Sequence, residues 1–319
     1  MTSNGCGTFS SLALDTASVC NLACQFCFTG VNRRNGGDSL SLEESKQAIG
    51  FAHEHGVREL VIAGAGEPLM DECFWPAVDY ANAQNMQVVL YTNGTLIDDA
   101  LAQKIAAQIH RVLVKRNCMD HGAQDSVTGV PGSSLRMLAG LQALMSAGLR
   151  APRLCAESYI LRSLTKSLEE VLRYCRRNGL APYFESLYTP NGDAPESLED
   201  EALSNHELTQ FFLRLATIDR CEFGIDTPLY VGARTYGEKP CPRLRTTFSV
   251  GCDGEVRLCV DPTKRLGNIR QEALSDILSQ ERVETVRGQN GFCCSFPTAW
   301  CEPGTLPQRP DNRQMITRG

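Results

Sequence analysis

Between about residue 10 and residue 190 the chain alternates short apolar runs with amphipathic stretches, six times over. "FSSLALD", "ELVIAGAG", "MQVVLYTNG", "RVLVKRN", "RLCAESYIL" and "APYFESLY" read as strands. Between them, "SLEESKQAIGFAHEHG", "CFWPAVDYANAQN", "DDALAQKIAAQI", "SLRMLAGLQALMSAG" and "SLEEVLRYCRRNG" read as helices, the first opened by a Ser suited to an N-cap and closed by Gly. Strand–helix alternation of this kind builds βα units around a parallel sheet. The strands are nearly all apolar, as strands become when helices cover one face and other groups fill the other. Six units are too few for a closed eight-stranded barrel. The predicted fold is therefore α/β, a partial (β/α)6 barrel, with its chemistry at the carboxyl ends of the strands.

The barrel core is expected over 1–195. The polar stretch "TPNGDAPESLEDEALS" and a helix "NHELTQFFLRLATI" form a linker region over 196–234, a cysteine-rich domain follows over 235–305, and a polar tail occupies 306–319. The formal net charge is -6, with no basic surplus or patch, which argues against a nucleic-acid partner. Mild acidity suits a cationic or neutral small substrate. No apolar run reaches the roughly 20 residues of a membrane helix. The opening "MTSNGCGTFSSLALD" lacks the basic and apolar regions of a signal peptide, so a cytoplasmic protein without a membrane partner is expected.

Fifteen cysteines in a chain of 319 residues point to metal or redox chemistry, and the odd total argues against complete pairing. Scattered ones such as Cys73, Cys155, Cys175 and Cys221 read as small buried hydrophobes. "CNLACQFCF" is different: Cys20, Cys24 and Cys27 share one loop directly after the first strand. Soft thiolates there suit zinc or an iron–sulfur cluster. Structural zinc needs a fourth nearby Cys or His, and the loop has none. A [4Fe–4S] cluster on three thiolates leaves one iron open to an outside ligand.

Cx3Cx2C, with Phe26 before the last Cys and a six-unit βα chain around it, resembles the radical SAM superfamily. The resemblance implies that the open iron binds the amino and carboxylate groups of S-adenosylmethionine, whose cleavage yields a 5′-deoxyadenosyl radical that abstracts hydrogen from an unactivated C–H. "GAGEPL" after the second strand resembles the family's GGEP-like motif, which implies that Gly64, Gly66 and Glu67 hold the cofactor's amino group. "YTNG", with Asn93, ends the third strand as in many members. The fourth strand departs from the pattern: it ends in "LVKRN", where relatives often carry a Ser and an Asp. Glu157 and Glu185 lie at the same carboxyl edge, as holders of cofactor or substrate hydroxyls or as solvated strand ends.

Downstream, "CPRLRTTFSVGCDGEVRLC" reads as a hairpin with "GCDG" at its turn, followed by "LGNIRQEALSDILS" and "FCCSFPTAWC". Four thiolates from a hairpin and a later loop close an iron–sulfur or a zinc site. The spacing of Cys241, Gly254 and Cys259 resembles the SPASM/twitch extension of the same superfamily. That implies an auxiliary [4Fe–4S] cluster on Cys241, Cys259, Cys294 and Cys301, with Cys293 able to replace Cys294. Cys252, at the turn, is not needed by that pattern. Radical SAM epimerases of this shape use a cysteine of this region to return hydrogen to an aminoglycoside sugar carbon. The resemblance thus implies an isomerase of the neomycin C to B type, with Cys252 as donor and a reductase or flavodoxin-type protein as electron source. Glu157, Glu185 and Asp226 are candidate partners for a cationic substrate. The alternatives are a radical SAM dehydrogenase of an aminocyclitol or sugar alcohol, which has no need of Cys252, a maturase of ribosomal peptides, and a protein using its cysteines structurally. The maturase ranks lower because little chain precedes Cys20 for a leader-binding domain.

Overall fold

The computed structural model describes residues 9–16, 18–27, 38–186, 198, 200–230, 232–259 and 264–288. Strand β1 (Ser11–Leu14) is followed by α1 (Leu42–Glu54), β2 (Glu59–Ile62), α2 (Phe74–Ala83), β3 (Gln87–Thr92), α3 (Asp99–Gln108) and β4 (Arg111–Lys115). Two helices, α4 (His121–Thr128) and α5 (Ser133–Ser146), then precede β5 (Leu154–Ile160), α6 (Thr165–Asn178) and β6 (Ala181–Ser186). The long helix α7 (Asn205–Phe223) leads to a single turn, α8 (Arg243–Thr246), and three strands, β7 (Thr247–Val250), β8 (Glu255–Leu258) and β9 (Arg265–Asn268). Helices α9 (Leu274–Ile277) and α10 (Gln280–Gly288) close the described chain.

All nine strands form one sheet in the order β6-β5-β4-β3-β2-β1-β7-β8-β9. The six predicted strands are present, parallel and in sequence order, as right-handed βα crossovers require. The partial-barrel expectation holds. Period-two alternation sorts the faces. Leu12, Leu14, Leu60, Ile62, Leu90, Val112, Val114 and Phe184 point into the main core under the helices. Val61, Val89, Tyr91, Leu113, Cys155 and Tyr183 form a smaller cluster on the inner face. Local chemistry fixes the helix starts: Ser41 and Glu44 complete a capping box on α1, and Asp98 accepts from the Leu101 N–H at the start of α3.

Two features exceed the sequence reading. Helix α4 falls in the stretch between β4 and α5, to which the sequence reading assigns no element. The hairpin is not a detached module either. β7 pairs parallel with β1, Ser11 opposite Thr247 and Leu14 opposite Val250, and β8 and β9 extend the sheet antiparallel from there. The turn between β7 and β8 therefore lies at the same edge as the carboxyl end of β1. The Asp15 N–H donates to the Val250 carbonyl at 3.0 Å across that edge.

Candidate active site

The three-cysteine segment leaves β1 and is docked on four sides. Behind it, the Glu67 N–H donates to the Val19 carbonyl at 2.8 Å. At its centre the Asn21 amide bridges the next strand end: Nδ2 donates to Thr95 Oγ1 at 2.8 Å, and Oδ1 accepts from Asn93 Nδ2 at 2.8 Å. Along α4, the Ala23 N–H donates to the Thr128 carbonyl at 2.9 Å, and the Gln25 N–H to that of Val127 at 3.0 Å. At its far end the Phe26 ring is buried with Cys118, Val127, Leu161 and Leu164, and lies 5.1 Å from the Tyr159 ring. Every orphan backbone group so satisfied lowers the cost of ordering an irregular loop. Cys20, Cys24 and Cys27 are all half-buried on this segment. Among the described residues, no three His, Cys, Asp or Glu side chains are gathered as a ready-made metal cage.

Glu67 is the hub of the edge. Its carboxylate is buried, and accepts from Thr92 Oγ1 at 2.6 Å, the Asn93 N–H at 2.7 Å and the Leu69 N–H at 3.2 Å. Burial pushes its pKa up, against the pull of the Asn93, Thr92 and Leu69 donors. It braces the "GAGEP" loop to the end of β3. Gly64 allows that loop its tight turn: a Cβ there would meet the Gly66 nitrogen at 3.2 Å.

The inner face near this edge is charged but paired. Lys115 on β4 forms an ion pair with Glu157 on β5, and its ammonium also sits 3.8 Å from the Tyr159 ring centroid. Burial raises the Glu157 pKa, and Lys115 opposes that. Arg243, from α8, reaches β6: it donates to Tyr183 Oη at 2.8 Å and pairs with Glu185 at 3.3 Å. Glu185 and Tyr183 hold the Arg243 guanidinium firmly charged. Neither Glu157 nor Glu185 is a solvated strand end. Asp226 lies elsewhere: it pairs with Arg220 beyond the C-terminus of α7 and is largely exposed, away from this edge.

Cys252 stands in the β7–β8 turn, half-buried and outside any disulfide. Its thiol is pushed up to about 11, first by burial and then by the Asp15, Asp253 and Asp38 carboxylates around it. Cys241 and Cys259 lie toward the opposite end of β7: Cys241 precedes α8, and the Cys259 N–H donates to the Thr247 carbonyl at 2.9 Å. Cys259 takes φ +61, a left-handed backbone that a non-glycine residue rarely adopts. Cys293, Cys294 and Cys301 lie outside the described residues.

The Radical SAM superfamily profile matches residues 15–175, about half of the chain, and that of the SPASM iron–sulfur cluster-binding domain matches 241–302. The chain belongs to the radical SAM superfamily, with a SPASM-type extension. Its relatives include an AdoMet-dependent heme synthase of Nitratidesulfovibrio vulgaris, 26% identical over 64% of this chain and 54% of that one. The mycofactocin maturase MftC of Mycobacterium tuberculosis is 30% identical over 53% of this chain and 42% of its own. The chain thus matches about half the length of each of these relatives. Among solved structures, Streptococcus suis SuiB bound to precursor peptide SuiA superposes with TM-score 0.71, 15% identity, covering 88% of this chain and 67% of that one. That likeness establishes the fold.

The family's cofactors are a [4Fe–4S] cluster with S-adenosylmethionine, and auxiliary iron–sulfur chemistry in the extension. The donor set suits them: three soft thiols on one docked loop, beside a backbone-lined edge shaped by Gly64 and braced by Glu67.

Sequence reasoning missed Lys115, Arg243 and α4. For α4 a signal existed: Asp120 caps its start and Gly129, at φ +68, its end. For Lys115 and Arg243 none did, because their partners are 42 and 58 residues away.

Proposed function

We propose that this radical SAM enzyme is an epimerase that inverts a sugar carbon of a cationic, aminoglycoside-type substrate, with Cys252 returning the hydrogen. The single observation that supports this is the place of Cys252. Its turn adjoins β1 at the carboxyl edge from which the three-cysteine loop departs, and not the end of the sheet that carries Cys259. The chemistry supplied by the bound cluster and S-adenosylmethionine is one-electron removal of a hydrogen atom from an unactivated C–H. The residues do the rest. Cys20, Cys24 and Cys27 hold the cluster, while Gly64, Gly66, Glu67 and Asn93 shape the cofactor's seat. Glu157, held in its ion pair with Lys115 on the neighbouring strand, is the carboxylate we assign to the cofactor's hydroxyls. Cys241, Cys259, Cys294 and Cys301 form the auxiliary site.

A hydrogen donor must keep its proton at neutral pH, and a thiol titrating at about 11 does. In the return step the S–H bond breaks and a C–H bond forms on the other face of the carbon. The thiyl radical left on Sγ takes one electron from a flavodoxin-type reductant and one proton from water, which restores the thiol. The carboxylates of Asp15 and Asp38 near the thiol favour ammonium groups on the substrate, whereas that of Asp253 is paired with Arg257 at 3.1 Å.

The test is anaerobic turnover of the iron-reconstituted protein with S-adenosylmethionine and neomycin C in deuterated water. One deuterium in an isomer of unchanged heavy-atom composition is expected, as is 5′-deoxyadenosine without that isomer from Cys252→Ala. An unaltered isomer yield from Cys252→Ala removes the thiol from the reaction. A product lighter by two hydrogens makes the enzyme a dehydrogenase. A second reading, a peptide substrate, is favoured by the similarity to a mycofactocin maturase. It takes over if 5′-deoxyadenosine forms only when peptide is supplied.

A further inference from the structure

The Cys252 turn is held by an arginine that the sequence gives no reason to single out. Arg270 follows β9, and its guanidinium donates to the carbonyls of Cys252 at 3.4 Å, Asp253 at 3.3 Å and Ser39 at 2.8 Å. The Glu44 carboxylate, 2.7 Å from Nε, orients it, and Arg270 in turn holds that carboxyl down to about 2. Asn268 adds a second grip, its Nδ2 donating to the Asp253 carbonyl at 3.1 Å. The turn fits tightly beneath: at Gly254, φ +80, a Cβ would meet Asn268 Oδ1 at 2.9 Å and the Arg270 side chain at 3.2 Å.

The other end of this bracket is the cluster loop's own root. The segment that carries Ser39 is bonded to the chain just before Cys20. The Leu40 N–H donates to the Thr16 carbonyl at 2.9 Å, and Ser18 donates to the Asp38 carbonyl through its N–H and its hydroxyl. One guanidinium thus ties two segments distant in sequence, the residues that open α1 and the thiol turn, and the bonds from Leu40 and to Asp38 carry that grip on to the root of the three-cysteine loop. A charge-assisted hub of this kind fixes relative position more firmly than neutral hydrogen bonds do.

We infer that Arg270, set by Glu44, is a positioning residue that fixes the Cys252 thiol relative to the three-cysteine loop. The inference rests on the hydrogen-donor reading of Cys252 for its consequence in turnover, but not for the bracket itself. Two readouts separate them, both on the iron-reconstituted chain with S-adenosylmethionine present. The first is the rate at which N-ethylmaleimide alkylates Cys252 at neutral pH, followed by peptide mass spectrometry. Arg270→Ala is expected to raise it about fivefold, the gain in local opening that follows loss of a net hydrogen bond or two. Arg270→Lys recovers part of the protection. Glu44→Gln, which keeps the helix cap, gives a smaller rise and serves if Arg270→Ala fails to fold.

The second readout is the ratio of 5′-deoxyadenosine to isomer formed from neomycin C. It is expected to rise in Arg270→Ala, with the affinity for S-adenosylmethionine unchanged. An unchanged alkylation rate in both Arg270→Ala and Glu44→Gln overturns the bracket. Faster alkylation with an unchanged ratio, in an enzyme whose wild type epimerises, overturns the positioning role. If the wild type forms no isomer, the donor reading falls and alkylation alone decides the bracket.

Discussion

At the scale of single residues, Glu67 shows how one buried carboxylate can tie two loops together. Its two oxygens are taken by three donors from Leu69, Thr92 and Asn93, so its contribution is to hold two loops in register. Glu67→Ala leaves those buried donors unsatisfied, at a cost of about 1–3 kcal/mol. A lower melting temperature and weaker S-adenosylmethionine binding are expected. Titration calorimetry checks the second. Unchanged affinity beside a lowered melting temperature would make Glu67 a brace and nothing more. The identity of the motif could be read from "GAGEP", but the direction of its carboxylate could not. That direction depends on where β3 ends, 25 residues on.

At the scale of elements, the seat of the three-cysteine loop is α4. Val127 and Thr128 offer their carbonyls to the loop, and Gly129 ends the helix against it, where a Cβ would stand 2.6 Å from the Ala23 carbonyl oxygen. Left-handed backbone and close approach coincide at that glycine. Gly129→Ala is therefore expected to destabilise the chain by about 1–3 kcal/mol and to displace the loop. Iron and sulfide per chain after reconstitution should fall, while Gly148→Ala, at a glycine of positive φ with open space around it, should lower stability without lowering iron content. The six strands and their order followed from apolar runs and connection lengths, because a parallel sheet demands both. Helix α4 escaped because it is short and its buried face is partly polar: Gln124 and Thr128 are fully buried there. Periodicity of apolar residues cannot reveal such a helix. Its caps can.

At the scale of the whole molecule, α6 and α7 are joined to the chain beyond them by Asp219. Its carboxylate is buried and receives Arg176 through two bonds of 2.7 Å, Thr227 at 2.6 Å and Tyr236 at 2.9 Å. The Tyr236 N–H in turn bonds to the Phe184 carbonyl of β6 at 2.9 Å. Asp219→Ala strands the Arg176 guanidinium and is expected to cost about 3–5 kcal/mol. Burial pushes the Asp219 pKa up, but Arg176, Thr227 and Tyr236 outweigh it, and the pKa is lowered. A lowered folded pKa stabilises above the unfolded value of about 3.9, and that stability is lost as pH falls through the folded value. Urea midpoints should drop below pH 4 in the wild type and drop less in Asp219→Asn. Equal slopes for the two would mean that other carboxylates govern acid unfolding. Among the described residues no helix is long and apolar enough to cross a membrane.

The sequence alone determined the parallel βα core, the thiol triad and its edge, and the cysteine-rich extension. Each is written in contiguous residues, where periodicity and spacing act over a few positions. Tertiary structure alone decided the rest. The extension joins the core sheet through β1, Lys115 and Arg243 neutralise the inner carboxylates, and Arg270 ties the Cys252 turn to Ser39 and Glu44 at the opening of α1. Strand pairing and ion pairing across some 40 to 240 residues leave no local mark, because a hydrogen bond depends on distance in space and not along the chain.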